Sequence, residues 1–148
     1  MMICAGNLCR SPFAAVYMQQ RMRKAGIEFD VYSRGLLALP GRRPPEAAQQ
    51  AAAEFDIDLS GHVAQPMLLH DVERAGLVLV MGPDQRKYVT SKRPSSIGKV
   101  FLLSFASEPE ENKTIEDPMG KTVDGFRDIY EEITGHVDAW IRRFGIKI

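Results

Sequence analysis

The sequence predicts an α/β domain built on a parallel sheet, and three observations carry that expectation. Two uninterrupted apolar runs, LVLVM at 77–81 and VFLL at 100–103, suit short strands buried on both faces. The last third of the chain carries a stripe with helical spacing: Phe126, Ile129, Tyr130, Ile133, Val137, Trp140, Ile141 and Phe144 recur three and four residues apart. Between these, strand-like and helix-like segments alternate, which is the pattern of strands joined by crossover helices. At 148 residues the chain is expected to form one domain, 1–148, with one sizeable core.

The elements follow in order. Ile3 and its neighbours are expected to close a very short first strand. A helix is expected over 12–25, with Ser11 as N-cap, Pro12 at the first helical position and Gly26 as the stop. Residues 28–33 alternate, Phe29 and Val31 against Asp30 and Tyr32, and read as a strand. A loop rich in proline spans 35–45, an alanine-rich helix 46–55, an irregular connection 57–62 and a short helix 66–75. After the LVLVM strand, a helix is expected over 84–92, then the second buried strand and the long final helix.

Composition excludes several functions. Nineteen basic residues balance 19 acidic ones, so nucleic acid is not the expected partner. No apolar stretch is long enough to span a bilayer and no signal peptide is visible; the expected setting is soluble and cytoplasmic, with no membrane partner. Oligomeric state is not legible. The 2 cysteines, Cys4 and Cys9, make neither a structural zinc site nor a disulfide scaffold.

The stretch Cys4-Ala5-Gly6-Asn7-Leu8-Cys9-Arg10-Ser11-Pro12 joins the end of a strand to the start of a helix. In an open parallel sheet this is the favoured place for a ligand. The first helical amides lack internal partners and the helix dipole favours negative charge there. Gly6 permits unusual torsions and close approach, and Asn7 tolerates the left-handed conformation. Such a loop can aim several N–H groups at one tetrahedral anion, and Arg10 would add a planar fork of donors. The nucleotide-binding pattern GxxxxGK[ST] is absent. Donors that bind a phosphate dianion also stabilise a thiolate, so Cys4 is the candidate nucleophile toward phosphorus. The reaction then needs an acid for the leaving oxygen, and Asp117 before Pro118 is the candidate, on a loop ahead of the final helix. No metal or cofactor is expected, since the thiolate and Arg10 supply what a metal would.

ICAGNLCRSP closely resembles the signature of the low-molecular-weight protein tyrosine phosphatases. The likeness runs along nearly the whole chain, with SGH at 60–62, LVLVM at 77–81 and Asp117-Pro118 in the order this family shows. The resemblance implies a flavodoxin-like fold: a four-stranded parallel sheet of order 2-1-3-4 flanked by helices. It implies hydrolysis of phosphotyrosine on a phosphorylated protein substrate through a phosphocysteine. Cys4 would be the nucleophile, Arg10 the phosphate clamp and Asp117 the acid and base. Ala5, Gly6, Asn7, Leu8, Cys9 and Ser11 would line the substrate's phosphate, Ser11 also bonding the thiolate. Asn7, Ser33 and His62 would brace the loop from behind. Cys9 matches a second cysteine able to form a disulfide with the nucleophile; a simply packed thiol is the alternative. Ser33 could equally just end a strand, and His62 just satisfy a turn.

Departures from the family pattern bear on the expectation. Family members usually have several residues ahead of the signature, where this chain has Met1, Met2 and Ile3. Met119 and Gly120 stand where many members place tyrosines that wall the phosphotyrosine ring. Related protein arginine phosphatases tend to carry Thr where this chain has Leu8, so an apolar Leu8 favours tyrosyl over guanidino substrates. Arginine phosphatase is the alternative on the same scaffold. Arsenate reductase would need cysteines that the chain lacks, and a non-catalytic phosphate-binding module would have little use for Cys4, Arg10, Ser11 and Asp117 together.

Overall fold

The computed structural model describes residues 1–148. In chain order the strands are β1 (Met2–Cys4), β2 (Ser33–Gly35), β3 (Val78–Val80) and β4 (Val100–Leu102). The helices are α1 (Arg10–Lys24), α2 (Glu46–Ala53), α3 (Leu69–Arg74), α4 (Pro83–Lys92) and α5 (Val123–Arg143). Short 3-10 turns lie at Pro94–Ser96 and Leu103–Ala106. All pairings are parallel and the order is β2-β1-β3-β4, the expected 2-1-3-4 sheet flanked by helices.

Alternation along these short strands divides the core in two. Met2, Cys4, Leu79, Met81 and Leu103 face α1, α2 and α5, in one cluster with Phe13, Met18, Ala51, Tyr130 and Trp140. Ile3, Val78, Val80, Val100 and Leu102 face the other way, onto Val72 of α3 and Val89 of α4. The central strands β1 and β3 thus bury both faces, which is why LVLVM has no polar alternation. The α5 stripe packs as its spacing predicts, from Phe126 to Ile141; Phe144 ends the helix and is half-exposed.

Two local expectations fail for identifiable reasons. Residues 28–32 are not a strand. The β1–β2 ladder begins at the pair Met2–Ser33, and residues 28–32 lie outside it. Instead, the Val31 amide donates to the Gln19 side chain at 3.1 Å, and Phe29 leans on Phe144 with ring centroids 6.4 Å apart. The alternation of Phe29 and Val31 reflects packing on helices, not pairing in a sheet. Ser11 is not the N-cap of α1 either. The helix starts at Arg10, Cys9 holds the cap position with no side-chain bond, and the Ser11 hydroxyl turns inward. Pro12 still sits in the first turn, where its missing N–H costs nothing. Gly26 ends the helix at φ 75° as expected.

Strand order reverses between β1 and β3, since β1 leads out to β2 on one side and β3 leads to β4 on the other. Cys4 ends β1 at this switch point. Gly35, at the end of β2, permits the next chain to close in. A Cβ there would lie 2.8 Å from the Ala5 carbonyl oxygen and 2.9 Å from the Asn7 Cβ. Neither neighbour is the free end of a flexible chain, so Gly35→Ala is expected to displace the 4–10 loop and cost about 1–3 kcal/mol, as overpacking does. Gly61→Ala, where an added Cβ meets nothing within 4 Å, is the control. Thermal unfolding should show a melting point several degrees lower for the first and little changed for the second.

Candidate phosphate-binding site

The loop after β1 wraps around Asn7. This residue, not Gly6, takes the left-handed conformation, at φ 54°. It is wholly buried and every polar atom of its side chain is used. Nδ2 donates to Ser11 Oγ and to Ser33 Oγ, both at 2.9 Å. Oδ1 accepts the Gln65 amide at 3.0 Å. The Asn7 carbonyl lies 2.7 Å from His62 Nε2, and a carbonyl can only accept, so His62 donates from Nε2. Burial holds the His62 pKa below its usual value, against the opposing pull of this bond.

The result is a concave run of main-chain donors. The amides of Ala5, Gly6, Asn7, Leu8, Cys9 and Arg10 donate to no other protein group. Buried amides are nearly always paired, so a cluster of unpaired ones around one depression marks a place for an anion. That depression is lined by Cys4, Gly6, Leu8, Cys9, Arg10, Asp117 and Met119. Cys4 Sγ sits at its floor, 3.0 Å from Ser11 Oγ. Because Asn7 already donates to Ser11, the hydroxyl proton has two acceptors, the sulfur and the more distant Arg34 carbonyl at 3.5 Å.

Arg10 is buried at the wall of the depression. Its Nη1 donates to the Ile115 carbonyl at 2.7 Å, and Nη2 lies 3.8 Å from Asp117 Oδ2. Asp117 is 55 % exposed at its side chain, and its Oδ1 accepts the Met119 amide at 3.1 Å, an Asx turn that fixes the carboxylate beside the mouth. Cys9 is buried and unbonded to Cys4. Burial, with smaller contributions from Cys4 and Asp117, pushes its thiol up to about 12. Its carbonyl accepts the Tyr130 hydroxyl at 3.3 Å, tying the loop to α5.

The structure brings Cys4, Gly6, Leu8, Cys9, Arg10 and Asp117 to one depression; Ala5 lies between two of these on the same loop, whereas the Asn7 and Ser11 side chains are buried beneath it, with Ser33 and His62 bonded to Asn7. Sequence reasoning missed Gly35, the Gln65 amide and the Ile115 carbonyl. The last two are main-chain groups and leave no mark in the sequence. Gly35 was legible only as the first residue of a loop. No group of three or more His, Cys, Asp or Glu side chains is arranged to hold a metal ion, and no helix is long and apolar enough to cross a membrane.

The sign of the His62 effect is definite. Its pKa is lowered in the folded state from 6.5, so the unfolded chain binds the proton more readily. The contribution is fully present above about pH 6.5 and is lost as pH falls through the folded value. Urea unfolding at pH 7.5 and pH 5.5 is expected to show a smaller acid loss for His62→Asn than for the unaltered chain.

Comparison with known proteins agrees with this geometry. The family model described as low molecular weight phosphotyrosine protein phosphatase matches residues 1–147. A probable low molecular weight protein-tyrosine-phosphatase, EpsP of Ralstonia solanacearum, is 36% identical over 143 residues, covering 97% of this chain and 93% of the relative. A protein-arginine-phosphatase of Bacillus subtilis is 29% identical over 131 residues, covering 88% of this chain and 86% of the relative. Among solved structures, the YwlE arginine phosphatase, as a mutant with a phosphorylated active-site serine, superposes with a TM-score of 0.90 at 26% identity, covering 97% of this chain and 93% of that one. With the sheet order, the cradle of free amides and the match along its whole length, the chain belongs to the low molecular weight phosphotyrosine protein phosphatase family, whose members are phosphoric monoester hydrolases.

Proposed function

We propose that the protein hydrolyses phosphotyrosine on a phosphorylated protein substrate, in two steps through a phosphocysteine. The observation that carries the reading is the run of unpaired amides from Ala5 to Arg10 on the loop that lines one depression with Cys4 and Arg10. The phosphate of the substrate takes those N–H groups and Arg10 as donors, which places phosphorus over the sulfur. The Cys4 thiolate attacks, an S–P bond forms and the P–O bond to the tyrosyl ring breaks. Asp117, as the carboxylic acid, gives its proton to the departing oxygen. Charge building on the equatorial oxygens meets donors already oriented, so little reorganisation is needed. In the second step the Asp117 carboxylate takes a proton from water, the water oxygen attacks phosphorus and the S–P bond breaks. The Ser11 hydroxyl, 3.0 Å from the sulfur, donates to the thiolate as it leaves. Phosphate is released and Asp117 is again protonated.

Preference for tyrosine rests on the walls. Leu8 is buried beside the depression and Met119 stands 45% exposed at its rim. Both are apolar, and a thioether packs well on an aromatic ring. A guanidino substrate would gain nothing from Leu8. The arginine-phosphatase reading is kept alive by the Bacillus subtilis relative and by the lack of a tyrosine after Asp117-Pro118. Side-by-side rates on phosphotyrosine, phosphoserine and phosphoarginine substrates decide it. The expected order puts phosphotyrosine first; activity confined to phosphoarginine would reverse the assignment.

The acid role has its own signature. Asp117→Ala is expected to slow turnover of phosphotyrosine by about 10²–10⁴-fold, the usual worth of a positioned acid. An aryl phosphate with an activated leaving group needs that proton less, so its loss should be clearly smaller. Equal losses on both substrates would remove Asp117 from the role.

A further inference from the structure

A crevice of about 550 Å³ lies apart from Cys4. It runs behind the phosphate loop, between α1, the chain entering β2, and the loop at 61–65, and it shares no residue with the depression over the sulfur. Its size suits a small metabolite. Ser33, His62 and Gln65 line it, and these are the residues that hold Asn7 from behind. Its cationic groups are Arg23 and Arg34, and no Asp or Glu is among its lining residues. Arg34 already faces Asp71 of α3 at 3.4 Å, whereas Arg23 is exposed and makes no ion pair. Gln19 uses its Oε1 on the Val31 amide, which leaves its NH₂ group to donate. Because His62 donates from Nε2 to Asn7, the ring nitrogen left over is Nδ1.

We propose that this crevice binds a small oxyanion-bearing ligand, carboxylate or phosphate monoester, that pairs with Arg23 and acts on the phosphate loop through His62 and Asn7. The proposal concerns binding and rests on the crevice, not on which phosphoester the enzyme cleaves. An anion seated beside Arg23 favours the protonated form of His62, as an opposite charge always does. A cationic imidazole donates a stronger, charge-assisted bond from Nε2 to the Asn7 carbonyl. The ligand would therefore tighten the grip on the residue that shapes the amide cradle. Of the residues that line the crevice, the charged ones are Arg23 on α1 and Arg34 on β2, the latter offset by Asp71; on the His62 loop itself, Arg43 donates to the Ser60 carbonyl and the Asp58 carboxylate accepts the Ser60 amide.

The test follows the imidazole resonances of His62, His70 and His136 through a pH titration of the intact protein. It is run alone, with citrate and with methylphosphonate, on the unaltered chain and on Arg23→Gln. The expected result is a His62 midpoint raised by about half a unit or more by at least one anion, with His70 and His136 unmoved and the effect lost in Arg23→Gln. A response to citrate alone assigns a carboxylate, and a response to methylphosphonate alone assigns a phosphate monoester. An unmoved His62 midpoint with both anions overturns the proposal, and so does an equal shift in Arg23→Gln. No turnover is measured, so the outcome is independent of the assigned reaction. Arg23 is exposed and touches neither Cys4 nor Asp117, so Arg23→Gln should keep its rate on phosphotyrosine when no anion is added.

Discussion

The site depends on one buried asparagine held in a conformation that few residues accept. With Asn7 at φ 54°, the chain on either side curls so that successive N–H groups converge, where an extended or helical path would spread them apart. The conformation is costly for a residue with a Cβ, though least so for Asn. It persists because Ser11, Ser33, Gln65 and His62 bind its amide group and its carbonyl from three different segments. Glycine would adopt the torsion more readily but would keep only the carbonyl that accepts from His62 and lose the three side-chain bonds. The cradle is therefore a tertiary construction. Its shape is set by β2 and by the loop at 61–65 as much as by the residues that form it.

That dependence explains what could be read from the sequence and what could not. The loop announced itself because Cys4, Asn7, Arg10, Ser11 and Pro12 are side-chain requirements at fixed spacing, and because Ile3 and its neighbours marked a short strand before it and Pro12 and Gly26 bounded a helix after it. The sheet order followed from the family likeness, and α5 from its stripe. Ser11 misled as an N-cap because capping and bonding to sulfur ask for the same hydroxyl. Here the interior won, since burying Asn7 and Cys4 without Ser11 would leave polar groups unmatched. Residues 28–32 misled because alternation records which side is apolar and says nothing about whether a partner strand lies alongside. The Gln65 amide and the Ile115 carbonyl had no signal at all, being present at every residue.

The short central strands β1 and β3 are adequate because they are covered on both faces. Each contributes three residues to the ladder, too few to stand without packing. Stability comes instead from α1 and α5 on one face, where Phe13 stacks on Tyr130 with centroids 3.9 Å apart, and from α3 and α4 on the other. Tyr130 links this packing to the site, since its hydroxyl reaches the Cys9 carbonyl. The aromatic core thus bears on the phosphate loop from one side while the Asn7 network bears on it from the other.

Arg10 joins the two halves of the proposed chemistry. Ile115 is held between them: its amide donates to the Met81 carbonyl at 2.8 Å, and its carbonyl accepts from Arg10. The segment carrying Asp117 is therefore pinned to the end of β3 and to the guanidinium at once. A guanidinium has five N–H donors, so holding Ile115 with one leaves a fork for phosphate oxygens. It follows that Arg10 does more than neutralise charge. Lysine at this position would keep the charge, but a single ammonium offers no rigid fork to satisfy the Ile115 carbonyl and a planar pair of oxygens together. Loss of the fork would free the Asp117 segment just as it weakened the phosphate clamp. Nucleophilic and acid functions are in this way coupled through one side chain, and the geometry of each constrains the other.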